Sequence, residues 1–147
     1  MDPEVAKTLI EKAWRAIDEA DWDTVRALGH KDSAIRSGAS QWVFGNYSIS
    51  DWFEHYRENY ELDLSDHTTI VMGDRAAVET RLKLTYHTTK AGFPEACGQF
   101  TVVPIASFIT FRDNLFFRTH MIMSIDDWMR VFMSEPRADF VPKERGQ

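Results

Sequence analysis

Residues 72–88 read MGDRAAVETRLKLTYHT. Val78, Leu82, Leu84 and Tyr86 alternate with Glu79, Arg81, Lys83 and His87. A period of two puts the apolar set on one face and the charged set on the other, which describes a strand with one wet face on an antiparallel sheet. Gly73-Asp74-Arg75 is a turn, and residues 66–72, DHTTIVM, form the preceding strand, so the two make a hairpin.

The pattern continues outward in both directions. Residues 90–98, KAGFPEACG, are a loop with two glycines and a proline. QFTVVPIASFITF, the turn RDN and LFFRTHMIMSI read as two further strands, and DDWMRVFM as a closing helix. Upstream the period is helical. Asp2 caps a helix with Pro3 in its first turn, and Ala6, Ile10, Ala13, Trp14 and Ile17 share one side up to about Ala20. Asp21 caps WDTVRAL, which Gly29 stops, and His30 and Lys31 look like a helix end. SAIRS is a short strand, and SISDWFEHYRENY a third helix with Trp52, Phe53, Tyr56 and Tyr60 on its apolar side. Helices first and a meander of strands after predict an α+β fold. The N-terminal helices pack in the concave face of one curved, mostly antiparallel sheet.

The 147 residues suit a single domain, with a core over about 4–133 and a loosely structured tail over 134–147. Aromatic residues make up 13% of the chain, including ten Phe and five Trp, which suits an apolar pocket. The net charge of −6 argues against nucleic acid or an anionic membrane as partner. Cys97 is the single cysteine, so an internal disulfide and a cysteine metal site are excluded. No His/Asp/Glu group has metal-ligand spacing, and no apolar run resembles a signal peptide or a membrane span. A cytoplasmic protein without metal or cofactor is the expectation.

EADWDTVRAL, MGDRAAVETRLKLTYHT and CGQFTVVPIASFITFRDNLFF, in this order, resemble the SnoaL-like proteins of the nuclear-transport-factor-2-like superfamily. The resemblance runs from about Glu4 to Met133. It implies a cone-shaped α+β domain, a pocket under the helices, and a convex sheet face that commonly pairs with a second subunit. Members include cyclases, isomerases, dehydratases, epoxide hydrolases and non-catalytic binders, so fold alone does not settle function.

The last strand carries the candidate chemistry. One face is Phe116, Arg118, His120, Ile122, Ser124 and Asp126, and the other Phe117, Thr119, Met121, Met123 and Ile125. The mixed face is expected to line the pocket. The apolar face, with Ile109, is expected to form a homodimer. In the SnoaL-like cyclases an acid/base aspartate stands at the end of this strand. Asp126 matches it best, with Asp127 as the alternative. Both also fit the first turn of the closing helix, with Ser124 as its cap. The resemblance to scytalone-type dehydratases implies that Asp18 lines the pocket, and Trp14 falls where ketosteroid isomerases carry a pocket tyrosine. The alternative for Asp18 is a solvated acid at a helix end.

The expected activity is a cofactor-independent cyclisation, isomerisation or dehydration of a hydrophobic polyketide-, terpenoid- or steroid-like molecule. Asp126 would be its base, His120 the polar partner and Asp18 the opposing acid. Trp14, Trp42, Tyr86, Phe108, Arg118 and Ser124 would contact the substrate. A non-catalytic binding or dimerisation module is the rival expectation.

Overall fold

The protein is described by a computed structural model over residues 1–141. Helix α1 (Pro3–Asp18) begins where the Asp2 carboxylate accepts the Glu4 N–H at 2.8 Å. Ala6, Ile10, Ala13, Trp14 and Ile17 are all buried, as their spacing predicts. The chain turns at Ala20, in left-handed backbone, and Asp21 caps α2 (Trp22–Leu28) through the Thr24 N–H.

From there the strands run longer than expected. β1 (Gly29–Ser37) takes in His30 and Lys31, which belong to a strand and not to a helix end. A short β2 (Val43–Phe44) precedes α3 (Ser48–Arg57). Tyr60 opens β3 (Tyr60–Met72) instead of closing the helix. Its spacing from Phe53 and Tyr56 fits a helix, but Tyr60 and Leu62 are buried opposite Tyr86 and Leu84. Tertiary burial decides the period there. β4 (Arg75–Tyr86), β5 (Phe100–Arg112) and β6 (Leu115–Met123) follow, then α4 (Ile125–Met129) and a 3-10 turn at Arg130–Met133.

The six strands form one curved, unclosed sheet in the order β2-β1-β6-β5-β4-β3. Every neighbouring pair is antiparallel except β1 with β6. Gly73 (φ 60°) makes the β3–β4 turn, and Asp113 and Asn114 (φ 53° and 57°) the β5–β6 turn. These are the residues that enter left-handed backbone at least cost. On β4, Val78, Thr80, Leu82, Leu84 and Tyr86 are buried while Glu79, Arg81 and Lys83 face out.

One expectation is reversed. The polar content of one β6 face puts Arg118 and His120 inside by expectation, with Met121 and Ile109 on the uncovered face. In the structure Met121 is 4% exposed, Ile109 is 2% exposed, and Phe117 and Thr119 line the interior. Arg118, His120 and Ile122 point to the convex face. An arginine under the helices would need a charged partner there. Outside, the Arg118 guanidinium lies over Phe117 and Phe44 and donates to the carbonyls of Asp32 and Phe117. Because side chains alternate, one wrong face assignment inverts the whole strand. The register also slips between Thr110 and Phe111, which turns both Phe116 and Phe117 inward.

Part of the segment after the 3-10 turn contacts the loop before β5. The Arg137 N–H donates to the Cys97 carbonyl at 2.9 Å, and Phe140 packs on Gly98 (φ 70°). A Cβ at Gly98 would stand 2.6 Å from the Phe140 ring. Residues 142–147 lie outside the described part. Among the described residues no helix is long and apolar enough to cross a membrane.

Candidate functional site

α1, α2 and α3 do not press fully onto the sheet. Between them and the concave face lies a cavity of about 70 Å³. Its walls are apolar: Ile17, Val25, Leu28, Ile35, Ile49, Phe53, Ile105, Phe116, Phe117 and Met121 all contribute.

A short polar series interrupts that lining. Thr80 on β4 pairs with Ile105, and Ser107 on β5 stands two residues on. Ser107 pairs with Met121 on β6, and Thr119 stands two residues before Met121. Thr119 pairs with Ile35 on β1, two residues after Ser33. Thr80, Ser107, Thr119 and Ser33 therefore step diagonally across the concave face, roughly 7–8 Å apart at each step. All four line the cavity, as does Asn46 before α3. The side chains of Ser33, Asn46, Ser107 and Thr119 make no hydrogen bond to another described residue. Ser107 is 2% exposed and lines the cavity.

Thr80 is held differently. Its Oγ1 accepts from the Trp14 indole Nε1–H at 2.8 Å and lies 3.2 Å from His67 Nδ1. His67 reaches it because β3 bulges: Ser65 pairs with Arg81 and Thr68 with Glu79, so Asp66 and His67 together oppose Thr80. Asp66 takes left-handed backbone (φ 54°) to allow this. The imidazole stands edge-on to Trp14, with centroids 6.3 Å apart. Burial pushes the His67 pKa below its ordinary value, against the opposing pull of Asp18 and Asp66. Nearby, burial raises the Asp63 carboxyl, with Glu61 and Asp18 adding to the shift and Lys83 and Arg57 opposing it.

Of the residues expected to form the site, Trp14 lines the cavity and the others do not. Asp126 is exposed in the first turn of α4, Ser124 caps that helix by accepting the Asp127 N–H, and Asp127 pairs with Arg130. Asp18 is exposed and accepts the Leu64 N–H at 2.9 Å, tying α1 to β3. Tyr86 is buried, but its hydroxyl donates to the Pro94 carbonyl and accepts the Lys90 N–H, which anchors the loop after β4. Trp42, Phe108, Arg118 and His120 do come together, on the convex face. They line a shallow groove of about 450 Å³ with Ile70 and Met72. There His120 bonds the Gly38 carbonyl at 2.7 Å and packs beside Trp42. Phe108 is turned out because Ser107 and Ile109, its neighbours on β5, face in.

Sequence reasoning missed Ser33, Asn46, His67, Thr80, Ser107 and Thr119. The one local signal was SDHTT, where strict alternation fails ahead of the β3–β4 turn, as a bulge requires. No group of three metal-ligating side chains forms among the described residues.

Comparison with known proteins bears on this geometry. The profile described as SnoaL-like domain matches residues 10–119. The chain belongs to the SnoaL-like domain family. Among solved structures, this SnoaL-like chain is similar to a candidate polyketide cyclase from Xanthomonas campestris pv. campestris. The two are 25% identical with a TM-score of 0.82, over 89% of this chain and 99% of that one. A candidate polyketide cyclase from Silicibacter sp. is 26% identical with a TM-score of 0.75, over 84% and 92%. An LEH-like epoxide hydrolase from M. tuberculosis shares the fold at 12% identity and a TM-score of 0.70, over 88% and 90%. No curated protein matches the chain significantly. Two of these neighbours are named as candidate polyketide cyclases and one as an LEH-like epoxide hydrolase, and the last, at 12% identity, shows the shared fold alone.

Proposed function

We propose that this protein takes a compact, mostly apolar small molecule bearing one or two oxygen atoms into the cavity beneath α1–α3. There it would carry out cofactor-independent acid–base chemistry: cyclisation, isomerisation or dehydration. The observation that carries this reading is the diagonal of hydroxyls on an otherwise apolar floor. Ser107 and Thr119 offer hydrogen bonds that no described residue takes up. Apolar walls with a few convergent polar groups are what a small-molecule site needs. Size narrows the substrate further. At about 70 Å³ the cavity is small beside the roughly 300–1,000 Å³ of drug-sized sites, which favours a compact ligand over a fused polycycle.

Proton handling falls on His67, through Thr80, because Asp126, His120 and Asp18 stand outside the cavity. The same absence of carboxylates favours a second reading, a binder that performs no reaction. A panel of monocyclic ketones, enones and epoxides separates the two. Thermal shift reports binding, and mass spectrometry with deuterium uptake from solvent reports turnover. Binding with exchange of the proton beside a carbonyl supports the enzyme. Binding without exchange or product supports the binder. No binding anywhere in the panel removes the cavity as the site.

A homodimer through the convex face is part of the same proposal. Phe108 (50% exposed), Ile122 (44% exposed), Phe100 and Val102 make an outward apolar patch that no described element of this chain covers.

A further inference from the structure

The hydrogen-bond inventory at Thr80 is tight. An indole N–H only donates, so Thr80 Oγ1 must accept from Trp14. One hydroxyl proton then remains. When His67 is neutral with a bare Nδ1, that proton is drawn to the imidazole 3.2 Å away. When His67 is protonated, both ring nitrogens donate. Thr80 must then accept from Trp14 and His67 together, and its own proton has to turn away from both, towards the cavity that Thr80 lines. The bulge is what builds this device, since it brings a histidine from the strand edge onto the one hydroxyl of the diagonal that already has a fixed donor.

We propose that Thr80 is the cavity group that recognises a ligand's carbonyl oxygen, and that His67, from outside the cavity, sets whether the Thr80 hydroxyl donates into it. The inference rests on the small-molecule reading above and adds the oxygen class and its control. Protonation switches the Thr80 donor on, and a carbonyl ligand binds more tightly as pH falls. The charged groups acting on His67 are Asp18 on α1 and Asp66 beside it on β3, while Glu79 and Arg81, the neighbours of Thr80 on β4, face out. Arg81 pairs with Asp66 at 3.7 Å, which tempers that acid's pull on the imidazole. Burial, which lowers the His67 pKa, moves the switch to lower pH than for a free imidazole.

Two measurements on the full chain test this. First, the Trp14 indole N–H resonance, assigned with Trp14→Phe, is followed by ¹⁵N NMR through the His67 titration. The expected result is a shift that tracks His67, persists in Thr80→Ser and disappears in Thr80→Val and His67→Phe. An indole resonance that ignores the His67 titration overturns the switch. Second, cyclohexanone and methylcyclohexane serve as probes of nearly equal shape, of which only the first accepts a hydrogen bond. Cyclohexanone should bind about 2- to 10-fold more tightly on the acidic side, as one added hydrogen bond implies, and methylcyclohexane equally at both. Cyclohexanone that binds with a pH-independent Kd overturns this inference alone. If neither probe binds at any pH, the small-molecule reading falls, and the carbonyl assignment with it.

Discussion

Thr80→Val and Ser107→Ala should change stability in opposite directions, although both remove one buried hydroxyl from the same concave face. Valine nearly matches threonine in shape, so the first substitution opens no cavity. It does take away the acceptor of the Trp14 indole N–H, a 2.8 Å bond on a side chain that is itself buried. A buried donor left without a partner costs about 1–3 kcal/mol. At about 2–4 °C per kcal/mol for a chain of this size, Tm should fall by roughly 2–12 °C. Ser107 has no partner among the described residues, so Ser107→Ala deletes an unpaired polar atom from an apolar surface. The expected result is neutral to stabilising, by about 0–1 kcal/mol. Urea unfolding at pH 7.5, with m unchanged, measures both. The reasoning is refuted if Thr80→Val costs less than about 0.5 kcal/mol or Ser107→Ala costs more than about 1 kcal/mol, in the first case because Thr80 does not fix Trp14, in the second because Ser107 has a structural partner.

Other outcomes follow from the same geometry. Asp126→Asn should leave stability within about 0.5 kcal/mol of the parent, as an exposed substitution does, and leave ligand affinity unchanged; a large loss of affinity by calorimetry would return Asp126 to the site. Because the folded-state pKa of His67 is lowered, the unfolded chain takes up its proton first, so its effect is absent above about pH 6.5 and lowers stability as pH falls below that value. His67→Gln should flatten this part of the pH–stability curve, and an unaltered curve would mean that another group carries it. In sedimentation experiments Phe108→Glu should yield a folded monomer, whereas Met121→Glu should unfold the chain, since Met121 is buried beneath the helices; a folded Met121→Glu monomer would reinstate the opposite face as the interface.

The fold was legible because its signals are local. Val78 to Tyr86 alternate with period two, Ile10, Trp14 and Ile17 repeat with a helical period, and Asp2, Asp21 and Ser124 each cap the helix that follows. The site was not, because it depends on which side of a strand faces the helices. Alternation divides β6 into two sets without saying which one is inside, and the polar set drew attention by its chemistry. The inward set holds a single hydroxyl, Thr119, which gains meaning only beside Ser107 and Thr80 on strands 10 and more residues away in the chain. Sequence spacing cannot show a diagonal across three strands. The β3 bulge is similarly tertiary: Asp66 and His67 look like ordinary strand residues until their pairing with Thr80 is counted.

The most direct measurement is the set of intermolecular NOEs between a bound monocyclic ketone and the methyl groups of the protein. Cyclohexanone seated in the cavity should give contacts to the methyls of Ile105, Thr80 and Thr119, and none to Ile70 or Ile122. Contacts confined to Ile70 and Ile122 would place the ligand on the convex face and contradict the assignment of the concave cavity as the functional site.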